Sequence, residues 1–118
     1  VFGANESGQH GKGAAKTALR FGAKIGKGNG IQGQAYGIPT KGKSVQVILP
    51  LGKIQKYVNE FIEYAKNNPN KTFLVTAIGC GLAGYKEQDI APLFREAISL
   101  ENIHLPALFW KVLNTLEE

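Results

Sequence analysis

A glycine-rich stretch that follows a run of β-branched apolar residues is the part of the chain best suited to binding an anion. The stretch reads GCGLAGY, covers residues 79–85 and precedes a helical pattern. Glycine lets backbone N–H groups approach a ligand without blocking side chains, and the start of the following helix adds a positive dipole end. A diphosphate suits both features. The same glycines also fit a tight strand-to-helix turn with positive φ angles, and their spacing alone leaves both interpretations open.

A second glycine-rich loop, residues 3–13, carries side chains that could work on such a ligand. Asn5 offers an amide donor and acceptor at the end of a predicted strand, and His10 can hydrogen-bond a ribose or act as a general acid or base. We therefore take Asn5 and His10 as the candidate catalytic residues. The alternative is structural: Asn5 closes a turn, and His10 begins a helix in solvent.

The elements that position both loops alternate between strands and helices. The helical spacing is clearest in residues 51–67, where Leu51, Ile54 and Val58 begin an apolar stripe. Further helices are predicted at 10–21, 86–100 and 107–116, and strands at 1–2, 35–39, 44–49, 72–78 and 103–105. This order predicts one α/β domain, residues 1–118, with helices on both faces of a mainly parallel, mixed sheet. Since both glycine loops leave carboxyl ends of strands, we expect them to lie close together.

The charge distribution favours an anionic partner. Residues 1–56 contain nine Lys and Arg residues against a single acid, whereas residues 57–118 contain five against eight. A positive first half is typical of proteins that bind a phosphorylated small molecule or a nucleic acid. A solvated basic surface without a specific partner is the alternative interpretation.

The remaining composition narrows the class of protein. One cysteine, Cys80, allows neither an intrachain disulfide nor a cysteine metal site, and we predict no metal and no cofactor. This cysteine usage suits a reducing, cytoplasmic compartment. The sequence contains no apolar run near the ~20 residues that span a bilayer, so we expect no membrane partner. In its glycine loop, Cys80 is more typical of a small buried residue than of a nucleophile.

Taken together, the motifs resemble an uncharacterised protein family of bacteriophages and bacteria. The matching segments are VFGAN, GQHGKGAAKTAL, GIQGQAYGIPT, FLVTAIGCGLAGY, DIAPLF and NIHLP, which span residues 1 to about 106. More remotely, the order of parts is similar to macro domains, which bind ADP-ribose. The resemblance implies a three-layer α/β/α fold and, for a phage-encoded protein, the host cytoplasm. Cys80 stands where macro domains usually have Ser or Thr.

The macro-domain resemblance also implies a set of ligand-binding residues. Asn5 would meet the distal ribose, and Tyr85 would stack near it. The residues implied to line the ribose and the diphosphate are Gly11, Gly13, Ala14, Gly79, Cys80, Gly81, Leu82, Ala83 and Gly84.

Two classes of function follow from these observations. The first is binding of ADP-ribose or a related nucleotide diphosphate, and hydrolysis of an ADP-ribosyl or ADP-ribose phosphate derivative is equally compatible with the sequence. The second is a phage-encoded nucleic-acid-binding or host-interaction protein without enzymatic activity. An assembly factor that oligomerises through the apolar C-terminal segment is a third, weaker alternative.

Overall fold

A computed structural model describes residues 1–44, 46–81 and 83–116 and shows an α/β protein. Within these residues it has five strands and four α-helices. The strands are β1 (Phe2–Asn5), β2 (Gly30–Gln32), β3 (Ala35–Lys41), β4 (Phe73–Leu74) and β5 (Ile103–His104). The helices are α1 (Gly13–Ala18), α2 (Leu51–Lys66), α3 (Glu87–Ile90) and α4 (Ala107–Leu116), and 3₁₀ segments cover Leu19–Phe21 and Ala91–Ser99.

The sheet is small and mixed, as the sequence predicts for the α/β class. β1 pairs in parallel with β3, β2 pairs antiparallel with β3, and β4 pairs in parallel with β5. These pairings form two sheets, one with the order β1, β3, β2 and one of β4 and β5. Two hydrogen bonds connect residues that flank β1 and β4: the Val1 nitrogen donates to the Leu74 carbonyl (2.8 Å), and the Thr76 N–H donates to the Val1 carbonyl (3.2 Å).

Helix α2 forms where its apolar stripe predicts. Ile54, Val58 and Phe61 are completely buried, because residues three and four apart share one face of an α-helix. Their face packs on β3, where the Phe61 and Tyr36 rings lie 5.0 Å apart. The same core takes in Phe94 from the second half of the chain.

The predicted helix over 86–100 is corrected to a short α-helix followed by a 3₁₀ segment. Only Glu87–Ile90 is α-helical, and Ala91–Ser99 continues as a 3₁₀ helix. The buried residues of this segment are Ala91, Phe94 and Ala97. A spacing of three keeps these residues on one face when a helix has three residues per turn.

Other boundaries also differ from the sequence prediction. The first helix begins at Gly13 rather than at residue 10, and β2 lies inside the segment 22–34, which was expected to be a loop throughout. In place of a strand over 44–49, the described residues form one isolated bridge, between Lys41 and Ile48. Across the described residues, no helix is long and apolar enough to cross a membrane.

Candidate functional site

A cavity of about 560 Å³ lies at the carboxyl ends of β1 and β3, beside the segment that follows β4. Its lining comes from three sources: strand ends (residues 3–5, 40–41 and 76–78), the loop and first turn of α1 (residues 9 and 11–15), and the later glycine loop (residues 79, 81 and 83). Both glycine-rich loops therefore line one cavity, as the strand-end rule predicts. The volume falls within the range of small-molecule pockets.

The structure brings many of the implied binding residues to this cavity. Those that line it are Asn5, Gly11, Gly13, Ala14, Gly79, Gly81 and Ala83. Among the described residues, His10, Cys80, Gly84 and Tyr85 are outside the lining. Leu82 lies outside the described residues, so its predicted role stays a prediction.

Four of the cavity glycines fall into two kinds. Gly13 and Gly79 have φ angles of 60° and 73°, a left-handed region that disfavours any side chain. Gly11 and Gly81 have no such angle, and a Cβ atom built on either would meet no atom of the described residues within 4 Å, chain neighbours aside. Neither backbone strain nor internal packing therefore requires glycine at positions 11 and 81.

Asn5 lies in the lining but uses most of its amide to hold its own loop. Its Oδ1 accepts hydrogen bonds from Ser7 Oγ (2.9 Å) and from the Gln9 N–H (2.8 Å), and its Nδ2 donates to the Gln9 carbonyl (2.8 Å). Asn5 is 6% exposed. One Nδ2 hydrogen remains for a ligand. These hydrogen bonds therefore show Asn5 closing a turn, which was one of the two roles that the sequence suggested for it.

His10 is part of the core rather than of the described cavity lining. Its side chain is buried, and its Nε2 lies 3.0 Å from the Lys27 carbonyl and 3.2 Å from Gln32 Oε1. Because both neighbours are acceptors, Nε2 carries the proton. Phe2 packs edge-on at 5.3 Å between ring centroids, and Nδ1 is buried without a protein partner. The imidazole thus joins the loop after β1 to Lys27 and to the last residue of β2, and the solvent-exposed helix start, one of the alternatives for His10, is wrong.

Tyr85 and Cys80 stabilise the later glycine loop from outside the cavity. The Tyr85 hydroxyl donates to the Leu49 carbonyl (2.6 Å), and the Tyr85 N–H donates to the Gly79 carbonyl (2.8 Å). Burial, followed by the nearby Glu87 and Asp89 carboxylates, raises the pKa of the Cys80 thiol to about 11. The thiol is therefore protonated at neutral pH, which does not favour a nucleophilic role.

The cavity carries positive charge that no described acid neutralises. Lys12 and Lys41 both line it, and no Asp or Glu does so within the described residues. Within the described residues, neither the Lys12 nor the Lys41 ammonium group makes an ion pair. The ion pair found among these residues joins Lys53 to Glu6 (3.0 Å). Such a lining attracts anions.

Sequence reasoning missed Lys41, Thr40 and Thr76 as cavity residues. The predicted strand over 35–39 ended at Pro39, so Thr40 and Lys41 were assigned to a turn, whereas β3 continues to Lys41. The strand-end rule that placed the glycine loops would have found Thr40 and Lys41 had this strand boundary been right. Thr76 lies inside the strand predicted over 72–78, whereas β4 ends at Leu74.

Glu6 forms a polar cluster outside the cavity. Its carboxylate accepts a hydrogen bond from the Tyr57 hydroxyl and pairs with Lys53. These two hydrogen bonds lower the pKa of the Glu6 carboxyl. The hydrogen bond between Glu6 and Tyr57 also raises the pKa of Tyr57 to about 12. The cluster ties the loop after β1 to helix α2.

Within the described residues, no group of three or more His, Cys, Asp and Glu side chains could hold a metal ion. Comparison of the chain with models of known protein families, with curated proteins and with solved structures finds no match. The site geometry therefore carries the functional argument.

Proposed function

We propose that this protein is a macro-domain-like module, with helices layered on both faces of its sheet, that binds ADP-ribose or a related nucleotide diphosphate. The ligand would occupy the cavity between the two glycine-rich loops. The order of parts in the sequence, which is similar to that of macro domains, supports the same proposal.

The observation that carries the proposal is the open space beside Gly11 and Gly81. Both residues line the cavity, and a Cβ atom at either position would meet no described atom within 4 Å apart from those of its chain neighbours. Glycine there leaves bare backbone on a cavity surface, where N–H groups can approach phosphate oxygens. Lys12 and Lys41 supply cations in the same lining. Bare amides and unneutralised ammonium groups together suit a phosphate-bearing ligand.

Binding is better supported than turnover. Of the candidate catalytic residues, Asn5 lines the cavity, whereas His10 is bound to the Lys27 carbonyl and Gln32 within the core. The described residues of the lining include no Asp, Glu or His that could act as a general base. We therefore propose Asn5 as a ligand contact and His10 as a structural residue.

Calorimetric titration of ADP-ribose tests the proposal, with Gly81→Glu as the informative variant. A glutamate there would place a carboxylate in the cavity, and we expect saturable binding to be lost. Gly52→Glu is the matched control, because position 52 also has open space for a side chain, lies in the first turn of α2 and is outside the lining. If the wild type binds neither ADP-ribose nor ADP at millimolar concentration, or if both variants bind alike, the proposal is wrong.

Nucleic-acid binding by a phage-encoded protein is the second candidate. It is favoured by the nine basic residues against one acid in residues 1–56 and by the exposure of Phe21 in that half. We would expect affinity for a random oligonucleotide that falls steeply with salt, measured by fluorescence anisotropy. Absence of binding at low salt would exclude this candidate.

A further inference from the structure

The free polar groups of the cavity suit phosphate better than a second sugar. Lys12 is exposed, Lys41 is partly exposed, and both residues line the cavity. Within the described residues neither makes a side-chain hydrogen bond or an ion pair. Lys12 directly precedes α1 and Lys41 ends β3, so the two basic residues of the lining come from different elements.

The side chains that the macro-domain resemblance assigns to the distal ribose are already engaged. The Asn5 oxygen accepts two hydrogen bonds within its own loop, and its nitrogen donates one there. The Tyr85 hydroxyl donates to the Leu49 carbonyl, away from the described lining. A distal ribose would therefore find few hydrogen-bonding side chains, and burying its hydroxyls without partners would weaken binding.

We infer that the ligand of this cavity ends in a phosphomonoester, as a nucleoside diphosphate does, rather than in the second sugar of ADP-ribose. The inference rests on the proposed function, since it concerns the same cavity. A terminal phosphate has a second pKa near about 6, so it carries close to two negative charges at neutral pH. Replacing the distal ribose by a free phosphate oxygen adds charge where Lys12 and Lys41 lack a counter-ion.

ADP and ADP-ribose provide the test, because they share the base, the first ribose and the diphosphate. We expect calorimetry at low salt to show ADP bound about tenfold more tightly, the scale of one charge-assisted hydrogen bond. Lys12→Gln and Lys41→Gln should each weaken ADP binding about tenfold and reduce the preference over ADP-ribose. Raising the salt from about 20 mM to about 200 mM should weaken ADP more than ADP-ribose.

Lys16→Gln is the matched control. Lys16 is an exposed lysine of the same helix, α1, but lies outside the described lining, so its variant should bind ADP as the wild type does. Thermal melts of all three variants establish that they fold.

Three outcomes overturn the inference in distinguishable ways. If ADP-ribose binds as tightly as ADP or more tightly, and if this order is the same in Lys12→Gln and Lys41→Gln, the inference is rejected and the proposed function stands. A loss as large in Lys16→Gln as in Lys12→Gln shows that general surface charge, not the cavity, sets the affinity. Failure of both ligands to bind rejects the proposed function together with the inference.

Discussion

Alanine substitutions at two glycines of one loop, Gly79 and Gly81, should have opposite effects on stability. Gly79 has a φ of 73°, and an added Cβ would lie 3.0 Å from the Cδ1 atom of Ile90, which is completely buried. Gly81 is free of both restrictions, since its Cβ would meet no atom within 4 Å and its φ is not left-handed. The loop thus contains one glycine that the fold requires and one that it does not.

The expected magnitudes follow from these environments. An L-residue in the left-handed region costs about 1–2 kcal/mol, and crowding a packed side chain adds about 1 kcal/mol or more. We therefore expect Gly79→Ala to lower the free energy of unfolding by about 2–3 kcal/mol, which corresponds to a fall in Tm of about 10 °C for a chain of this size. Gly81→Ala should raise the free energy of unfolding by about 0.4–1 kcal/mol, because alanine restricts the unfolded chain.

Urea denaturation followed by circular dichroism measures both changes, and calorimetry measures ligand binding by the same samples. We expect Gly81→Ala to be stable yet weakened in binding. A loss of stability in Gly81→Ala as large as that in Gly79→Ala would refute the argument, because it would mean that position 81 faces protein rather than the cavity. Wild-type stability of Gly79→Ala would equally refute the left-handed backbone.

Three other features give measurable expectations. The pKa of Glu6 is lowered mainly by its hydrogen bond with Tyr57, so this stabilisation is present above the unfolded pKa of about 4.3 and is lost as pH falls through the lower folded value. Tyr57→Phe should therefore cost about 1 kcal/mol at neutral pH and less at about pH 3, by urea denaturation. Since burial raises the pKa of Cys80 to about 11, iodoacetamide at about pH 8 should alkylate it at least about tenfold more slowly than free cysteine; an equal rate would contradict the burial. Gln32→Ala removes the side-chain acceptor of the His10 Nε2–H and of the Lys24 backbone N–H. It should lower the free energy of unfolding by about 2–3 kcal/mol in the same denaturation experiment. A change below about 0.5 kcal/mol would show that these hydrogen bonds add little to stability.

The sequence predicted helices α2 and α4 well. Helix α2 extends over Leu51–Lys66 against a predicted 51–67, because its buried residues recur every three or four positions. Helix α4 begins at Ala107 and ends at Leu116, as its apolar content predicted. The meeting of the two glycine loops followed from the rule for strand ends alone.

Strand β3 shows why Lys41, which ends the strand and lines the cavity, was not predicted as a cavity residue. The sequence predicts a strand that ends at Pro39, and proline cannot donate a hydrogen bond to a sheet ladder. In the structure the pairing steps from Ala4–Pro39 to Asn5–Lys41, which leaves Thr40 as an extra residue on β3. Bulges are among the positions where sheets accept proline, and this one brings Thr40 and Lys41 to the cavity.

Local sequence patterns could not have predicted the environment of His10 either. Its hydrogen-bonding neighbours, Lys27 and Gln32, are 17 and 22 residues further along the chain. Neither periodicity nor composition reports contacts at that separation. The sequence suggested that His10 either contacts a ribose or begins a helix in solvent, whereas tertiary hydrogen bonds hold it in the core.

The most direct test of the central proposal is calorimetric titration of ADP-ribose and ADP into the wild type, Gly81→Glu and Gly52→Glu. We expect saturable binding to the wild type and to Gly52→Glu, and none to Gly81→Glu. Binding that survives in Gly81→Glu, or absent binding of both ligands to the wild type at millimolar concentration, would contradict the assignment of this cavity as a nucleotide-diphosphate site.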